Sequence, residues 1–329
     1  MTKPVFVIGS NSFSGSAFCE HLLAQDIEVI GISRSQEPIK ELLPHKLNGN
    51  KPLQFHQLDL NHHLERIESL IDKFKPSHIY NFAAQSMVGQ SWDFPEHWFM
   101  TNTVSTIKLH NILRQKDYLE RYIHISTPEV YGTTNGEQLE SKIYQPSTPY
   151  ATSRAAADMS LHNFFDVYQF PVIFTRAANV YGAGQQLYRI IPRTILYALT
   201  GRQLALHGGG FSERSFIDIS DVSKATQLIG ENGRLGDIYH ISTNELVSIR
   251  ELVSLICKKL NKNFDLVVKE TGDRKGKDHA YWLNSEKLRN ELGWSDVIDL
   301  ESGIDSCIDW ITRNLEVLNL QPLEYIHKA

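Results

Sequence analysis

The chain has 329 residues, of which 41% are hydrophobic and 22% charged, and these values are typical of a globular protein. Its 33 basic and 38 acidic residues give a net charge of −5, without the basic stripe expected of a nucleic-acid surface. No stretch of the sequence approaches the roughly 18 consecutive apolar residues of a membrane helix. The composition therefore argues against a nucleic-acid partner and against a membrane span.

The three cysteines, Cys19, Cys257 and Cys307, are an odd and scattered set. Their positions match neither a metal-ligand spacing nor a disulfide framework. The apolar run before Gly9 is too short for a signal peptide and leads directly into a turn. We therefore expect three reduced thiols in a cytoplasmic protein that has no metal site.

In the first half of the chain, short β-rich runs alternate with amphipathic segments. Strands are predicted at residues 5–8, 28–33, 53–58, 78–83, 122–126 and 172–176. Helices are predicted between them at residues 16–25, 64–74, 102–115 and 151–168. This alternation is typical of βαβ units, so we expect an α/β fold with a doubly wound parallel sheet of the Rossmann type.

The rhythm changes after about residue 180, where helices are predicted at residues 190–200, 249–260 and 285–292 around a polar region. The pattern predicts a cofactor-binding domain over residues 1–180. A smaller C-terminal α/β domain over residues 181–329 is expected to cover the carboxyl ends of the sheet. A segment near 212–241, whose residues 237–241 have strand character, is expected to return to the main sheet.

A glycine motif joins the first strand to the first helix. Residues 9–15 read Gly-Ser-Asn-Ser-Phe-Ser-Gly, so Gly9, Ser12, Phe13, Ser14 and Gly15 lie where a helix N-terminus could hold a pyrophosphate. Gly9 would form the tight turn, and Gly15 would let the helix pack closely on the strand. Two glycines are also compatible with a plain strand–helix turn, but their position favours a dinucleotide site.

The end of the second predicted strand bears on the choice of cofactor. An acidic residue here would bind the ribose diol of NAD, whereas basic and hydroxyl groups accommodate the additional phosphate of NADP. The chain has Ser33, Arg34 and Ser35, with no carboxylate before Glu37. This favours NADP, with NAD as the second choice.

Residues with catalytic potential follow the fifth and sixth predicted strands. Thr127 lies just after the fifth strand, and Tyr150 and Arg154, four residues apart, share one face of the following helix. A nearby cation lowers the pKa of a tyrosine, which could then take a proton from a sugar hydroxyl. These residues lie at the carboxyl edge of the predicted sheet, where ligands bind.

Two segments resemble those of extended short-chain dehydrogenases/reductases, specifically the nucleotide-sugar 4,6-dehydratases and epimerases. Residues 126–132, Ser-Thr-Pro-Glu-Val-Tyr-Gly, are similar to the Ser-Thr-Asp-Glu-Val-Tyr-Gly motif of dTDP-glucose 4,6-dehydratases. Residues 81–86, Asn-Phe-Ala-Ala-Gln-Ser, resemble a segment of the NADP-dependent GDP-mannose 4,6-dehydratases. The resemblance extends from about residue 5 to residue 294.

The resemblance implies a nucleotide-sugar 4,6-dehydratase and a role for each matching residue. Tyr150 would be the base at the C4 hydroxyl, with Thr127 bonded to the same oxygen and Arg154 beside them. Glu129 would remove the C5 proton. Further cofactor contacts are implied for Asp59, Leu60, Ala83, Ala84, Gln85 and Thr101. Contacts to a nucleotide diphosphate sugar are implied for Ser86, Thr127, Asn179, Arg189, Arg214, Arg274 and Lys277.

The motif departs from the family at two positions. Pro128 replaces an aspartate that serves as the acid for water loss in dTDP-glucose dehydratases, so Glu129 would act as base and acid in turn. Arg154 replaces the usual lysine, and its planar head group differs from an ammonium in shape. An epimerase or 4-reductase, and a non-catalytic cofactor-binding protein, are the alternative functions. The resemblance also implies a homodimer formed through the helices predicted at residues 102–115 and 151–168.

Overall fold

A computed structural model describes residues 3–49, 52–134, 136–272 and 282–328. Its main sheet has seven strands, and every neighbouring pair is parallel. From one edge to the other the strands are β12 (Ile238–Ile241), β7 (Val172–Ala177), β5 (Arg121–Ile125), β4 (His78–Asn81), β1 (Val5–Ile8), β2 (Val29–Ser33) and β3 (Gln54–Gln57). The sheet confirms the predicted α/β, doubly wound fold class.

Helices cover both faces of this sheet and form much of the second half of the chain. They are α1 (Phe13–Leu23), α2 (Pro44–Leu47), α3 (Leu64–Phe74), α4 (Pro95–Phe99), α5 (Thr106–Leu113), α6 (Pro149–Tyr168), α7 (Ile190–Thr200), α8 (Ile219–Asn232), α9 (Ile249–Lys259), α10 (Phe264–Val267), α11 (Glu286–Leu292), α12 (Leu300–Arg313) and α13 (Leu315–Asn319). None of these described helices has the length and apolar character that a membrane crossing requires.

The remaining strands form short two-stranded pairs outside the main sheet. They are β6 (Glu137–Gln138) with β15 (Trp282–Leu283), β8 (Asn179–Tyr181) with β11 (Phe216–Asp218), β9 (Leu204–His207) with β14 (Val268–Thr271), and β10 (Glu213–Arg214) with β13 (Val247–Ser248). Helices α7, α9 and α12 pack together through a separate apolar cluster that includes Ile195, Ile256 and Ile311. The two-domain division near residue 180 stays a prediction, and strand β12, from the second half, pairs with β7.

Two helices begin earlier than the sequence pattern predicts. Helix α1 starts at Phe13 rather than at residue 16, because the Ser12 hydroxyl accepts a hydrogen bond from the Gly15 amide and caps the helix. The helix expected at 102–115 begins at Pro95, whose fixed φ suits a first turn, and continues through a π-helical segment at Met100–Ser105. Apolar periodicity is weak in both N-terminal turns, so periodicity alone places the starts too late.

The strand order positions the site. Strands β2 and β4 lie on opposite sides of β1, so the chain connections reverse direction there, and this switch point opens a crevice at the carboxyl ends of the strands. The segments that follow β1, β2, β4, β5 and β7 all leave the sheet at this edge. They carry most of the residues that the sequence marks as candidates for cofactor and substrate binding.

Candidate active site

The glycine motif brings backbone close to backbone at the end of β1. Gly9 has φ +88°, and a Cβ atom there would lie 2.6 Å from the Ala83 amide nitrogen. A Cβ at Gly15 would lie 2.3 Å from the Gly9 carbonyl oxygen. The Ser12 hydroxyl donates to that same oxygen at 2.7 Å while it caps α1. The side-chain-free backbone at Gly9 and the helix N-terminus fit a pyrophosphate, with Ser12 serving as the helix cap.

A cleft of about 430 Å³ lies beside this turn. It brings together most of the residues predicted to contact a cofactor, although they come from five separate segments. Those lining it are Gly9, Ser12, Ser33, Arg34, Ser35, Asp59, Leu60, Ala83, Ala84, Gln85 and Thr101. Gly15 does not line the cleft and instead lies buried beneath it in α1.

The loop after β2 is held against the glycine motif by Asn11. The Asn11 amide donates to the Ser33 hydroxyl, and its side chain donates to the Ser35 carbonyl, both at 2.9 Å. Glu37, the first acidic residue after β2, interacts with Lys46 at 2.6 Å and with His45 at 3.3 Å. The nearest carboxylate along the chain is therefore engaged with other side chains, while Arg34 lines the cleft.

A second cleft, of about 750 Å³, adjoins the first. Five residues line both clefts, namely Ser12, Phe82, Ala84, Gln186 and Tyr188. The predicted residues that line the second cleft are Phe13, Ser14, Ser86, Thr127, Glu129, Tyr150, Arg154, Asn179, Arg189 and Arg214. Arg274 and Lys277, also predicted to contact substrate, lie outside the described residues. The groups expected for cofactor and for substrate thus occupy neighbouring clefts.

Thr127 and Glu129 are oriented by a short 3₁₀ helix at Pro128–Tyr131. The Thr127 hydroxyl caps this helix by accepting from the Glu129 amide at 3.3 Å, and it donates to the Glu129 carboxylate at 3.0 Å. Pro128 occupies the first helical position, where it needs no amide hydrogen. The departure at Pro128 therefore fits the backbone and leaves Glu129 as the carboxylate of this turn.

Tyr150 lies in the first turn of α6, which Thr148 caps by accepting from the Ala151 amide at 3.1 Å. Its side chain contacts Thr127 and lines the second cleft. Burial and the nearby Glu129 carboxylate raise the pKa of Tyr150 to about 12, whereas Arg154, the Thr127 hydrogen bond and Arg189 act in the opposite direction. The phenol is consequently protonated at neutral pH until further positive charge is placed beside it.

Arg154, one turn further along α6, is only 2% exposed. Its Nη2 atom donates to the Ile125 carbonyl oxygen at the end of β5 and to the Nε2 atom of His124 at 3.3 Å. The arginine thus reaches across to the adjacent strand while still lining the second cleft. The spacing of four residues predicted that Arg154 shares a helix face with Tyr150. It did not indicate that Arg154 bonds Ile125 and His124 on β5.

Arginines give the second cleft a positive wall. Besides Arg189 and Arg214, it includes Arg193, four residues after Arg189 on α7, which the sequence analysis missed. The spacing of four is a signal that could have found it, because such residues share a helix face. Gln186 and Tyr188, which line both clefts, were also missed, and their sequence context offers no comparable signal.

Residues 321–328, which we term the closing segment, lie along the first cleft although the sequence gave no hint of it. The Lys328 carbonyl oxygen accepts from Gln85 Nε2 at 2.7 Å and from Arg34 Nη1 at 3.2 Å. The Tyr325 hydroxyl donates to Gln85 Oε1 at 3.4 Å, and its ring packs edge-on against Tyr188. The segment therefore bonds two of the residues predicted to contact the cofactor.

Further anchors hold the closing segment on its outer side. Nε2 of His327 lies 2.8 Å from Nδ1 of His97, and the His327 ring stacks on Trp98. Arg193 bonds the Leu323 carbonyl oxygen and forms an ion pair with Glu324 at 3.0 Å. Because Arg193 also lines the second cleft, it links the closing segment to the arginine-rich wall.

Comparisons with known proteins agree with this geometry. The model of the GDP-mannose 4,6-dehydratase family matches residues 6–307. The chain belongs to this family. A dTDP-glucose 4,6-dehydratase of Xanthomonas campestris is 30% identical over 328 residues, covering 94% of this chain and 93% of the relative. The match confirms the predicted extended short-chain dehydrogenase/reductase family of nucleotide-sugar dehydratases and epimerases.

Two further relatives describe the range of the family. The structure of DesIV, a dTDP-glucose 4,6-dehydratase of Streptomyces venezuelae with NAD and TYD bound, is 28% identical, with a TM-score of 0.88. The match covers 95% of this chain and 98% of DesIV. A trifunctional UDP-glucose 4,6-dehydratase/epimerase/reductase of Arabidopsis thaliana is 30% identical over 95% of this chain, which spans only 48% of that relative. No cluster of metal-ligating side chains occurs in the described parts of the chain.

We expect removal of the closing segment, by a stop after Leu320, to speed dissociation of the bound dinucleotide about tenfold. The truncation removes three hydrogen bonds that join this segment to Gln85 and Arg34. Each of them contributes roughly 0.5–1.5 kcal/mol. Stopped-flow fluorescence of the bound reduced cofactor measures the rate. Glu316→Ala, at an exposed position before the segment and outside both clefts, is the control and should release cofactor at the unaltered rate. Equal rates for the shortened and full-length chains would contradict this role.

Proposed function

We propose that this chain catalyses nucleotide-sugar 4,6-dehydration, the hydro-lyase reaction of its family, with Tyr150, Thr127 and Glu129 as the reacting groups. The observation that carries the proposal is the contact between the Glu129 carboxylate and Thr127, beside Tyr150, in the wall of the second cleft. A 4,6-dehydration needs a base at the C4 hydroxyl and a second base at C5. This cluster supplies both within one substrate-sized space.

The first half of the reaction depends on Tyr150. When bound, the oxidised nicotinamide supplies a hydride acceptor for C4, a later hydride donor for C6, and a positive charge. The charges of Arg154 and Arg189 also act to lower the pKa of Tyr150. The nicotinamide and these two arginines therefore favour the tyrosinate together. Tyr150 then takes the proton of the C4 hydroxyl, and Thr127 holds the same oxygen. The product of this step is a 4-ketone.

The second half depends on Glu129. The C4 ketone acidifies the neighbouring C5 hydrogen, which Glu129 removes as a proton. The C6–oxygen bond breaks, and the protonated Glu129 gives its proton to the departing hydroxyl, so that water leaves. Pro128 has no acidic group for that transfer, which is why one carboxylate serves twice. After hydride arrives at C6, C5 receives a solvent proton through Glu129, giving a 4-keto-6-deoxy sugar.

The substrate is proposed to be a nucleotide diphosphate sugar. Arg189, Arg193 and Arg214 line one cleft, and guanidinium groups bind phosphate oxygens through paired hydrogen bonds. The relatives named above act on dTDP-glucose and UDP-glucose according to their names. We thus assign the diphosphate and the hexose of the substrate, and the identity of its base is to be determined by experiment. We also propose a cytoplasmic location, consistent with three buried, unpaired cysteines.

We expect Glu129→Gln to lower turnover by about 10²–10⁴-fold, the range for loss of a general acid–base group, while the nucleotide sugar still binds. Turnover is measured with purified protein, a panel of UDP-, dTDP-, GDP- and CDP-hexoses, and mass spectrometry in heavy water. The unaltered enzyme should yield a product that has lost one water and gained deuterium at C5. Glu245→Gln, at an exposed position, is the control and should retain full activity.

Tyr150→Phe should also abolish turnover in this assay while leaving the cofactor bound. If the unaltered enzyme instead gives a C4 stereoisomer of unchanged mass, the protein is an epimerase and not a dehydratase. Absence of product from every sugar would favour a non-catalytic cofactor-binding protein. Full activity of either substituted enzyme would overturn the assigned roles.

We further propose that the dinucleotide is NADP rather than NAD. The cleft presents Arg34 between Ser33 and Ser35 at the end of β2, and Glu37, three residues further on, is engaged by Lys46 and His45. Such a group of a cation and hydroxyls suits a 2′-phosphate better than a ribose diol. Solved relatives with NAD bound define the alternative.

We expect NADP to bind at least tenfold more tightly than NAD in isothermal titration calorimetry. Arg34→Ala should weaken NADP binding by about 1.5–3 kcal/mol, the contribution of a charged hydrogen bond, and should weaken NAD binding less, by about 0.5–1.5 kcal/mol, through loss of the bond to Lys328. Lys3→Ala, on the exposed start of the chain, is the control for nonspecific charge effects. Tighter binding of NAD by the unaltered protein would refute the NADP assignment.

We also propose a homodimer formed through α5, α6 and the π-helical segment before α5. These elements expose apolar side chains, including Met100, Val104 and Met159, which are 40–53% exposed. Association would remove this apolar surface from water. Light scattering should give a mass of two 37.6 kDa chains, and Met159→Glu should shift it toward one. A single-chain mass for the unaltered protein would disprove the dimer.

A further inference from the structure

A buried polar network lies behind the reacting groups, between α6 and strands β5 and β7. Its members are Arg154 and Asp158 on α6, His124 on β5 and Arg176 on β7, and each is at most 2% exposed. Arg154 follows Tyr150 by four residues and Asp158 follows it by eight, so the three share one face of the helix. The reaction proposed above uses Tyr150 and Arg154 directly but does not use His124.

Asp158 has two donors besides His124, both on Oδ2, while its Oδ1 atom has no hydrogen-bond partner among the described residues. Its Oδ2 atom accepts from Arg176 at 2.8 Å and from the Ser126 hydroxyl at 2.6 Å. The contact with His124 and the charges of Arg176 and Arg154 hold the pKa of Asp158 well below its usual range, despite its burial. The carboxylate is therefore ionised and anchored by β5 and β7. Because Oδ1 accepts no hydrogen bond although His124 Nε2 lies 3.3 Å away, the His124 ring is available to a different partner.

His124 Nε2 lies 3.3 Å from two different groups, Nη2 of Arg154 and Oδ1 of Asp158. One ring nitrogen can accept from the arginine or donate to the carboxylate, but it cannot do both. Within the described chain, Nδ1 of His124 has no hydrogen-bond partner, so that side of the ring favours neither tautomer. Burial and the adjacent guanidinium groups lower the pKa of His124, which keeps the ring neutral and able to accept.

Arg154 depends heavily on this acceptor. Its Nη2 atom bonds only the Ile125 carbonyl and His124, and its Nε atom has no partner among the described residues. With the Ile125 carbonyl alone, only one N–H of Nη2 would be held, and the guanidinium could rotate about that hydrogen bond. Contact with His124 gives it a second anchor on β5, and hence a fixed distance from Tyr150.

We propose that His124 is a positioning residue for Arg154 and, through it, for the cation that tunes Tyr150. The inference rests on the proposed function, since it assumes that Tyr150 is the C4 base. It also accounts for the arginine at position 154, where the family motif has lysine. The longer, planar head group extends past the helix and is accommodated by an imidazole acceptor on the neighbouring strand. When Nε2 instead donates to Asp158, Arg154 loses this anchor.

The test is a double-mutant cycle between His124 and Arg154, with kcat, KM and the pH dependence of kcat as readouts. We expect His124→Leu to lower kcat about tenfold with KM for the nucleotide sugar within about twofold, because only the cation beside Tyr150 is displaced. The acid limb of the kcat profile should move to higher pH, since Tyr150 then ionises less readily. His124→Gln, whose amide oxygen can accept from Arg154, should recover most of the activity.

In an Arg154→Lys background, His124→Leu should have little further effect on kcat, since lysine is too short and unbranched to make the same contact. A merely structural role for His124 predicts the opposite result. The same fractional loss of kcat in both backgrounds, or equal losses for His124→Leu and His124→Gln, would overturn the proposal. Thermal unfolding of each variant reports separately on folding.

A measurement without any substitution at His124 covers the case in which His124→Leu does not fold. The ¹⁵N resonance of His124 Nε2 should shift between the unsubstituted protein and Arg154→Lys, because an accepted hydrogen bond is lost. An identical resonance in the two proteins would also overturn the proposal. Failure of the proposed dehydration would appear as absent turnover in the unsubstituted enzyme, whereas failure of this inference leaves that turnover intact.

Discussion

The site depends on seven parallel strands that end at one edge of a single sheet. Parallel pairing forces each connection to cross back over a face, so the segments after the strands collect at the same place. The close approach of Gly9 to Ala83 shows how tightly two of these ends are brought together. Side chains that are more than a hundred residues apart in the chain consequently meet in two adjoining clefts. The register of the strands sets the positions of the reacting groups.

Successive turns of helix α6 place three polar side chains in a row from the cleft to the buried interior. Its first turn places Tyr150 in the cleft, the next places Arg154 against the end of β5, and the third buries Asp158 beside Arg176. A buried charge is costly unless it is paired, so this polar face is tolerable only because β5 and β7 offer matching groups. The arrangement keeps a cation close to Tyr150, with both side chains at most 7% exposed.

Local sequence signals predicted the fold and, together with the family resemblance, many of the residues that line the two clefts. Alternating strand and helix patterns, a glycine turn after β1 and a Tyr-x-x-x-Arg pair each arise from short segments, and short segments are what sequence patterns describe. Most of the failures have a common cause, which is that contacts between distant segments leave no local trace. The bond from Arg154 to His124 joins a helix to a strand thirty residues away, and the bond from Gln85 to Lys328 spans more than two hundred. The start of α1 was misplaced for a different reason, since a cap by Ser12 overrides weak periodicity.

The closing segment bears on how long the enzyme keeps its cofactor during the reaction. In a 4,6-dehydration, the hydride taken from one carbon of the sugar is returned to another carbon of the same sugar. Release of the reduced cofactor between these steps would strand an oxidised intermediate and leave the enzyme without the hydride it needs. We expect a peptide that bonds Gln85 and Arg34 beside the cleft to favour residence of the cofactor over many turnovers. An enzyme that keeps its nicotinamide in this way works at a rate set by its sugar supply, independent of the ratio of oxidised to reduced nicotinamide in the surrounding solution.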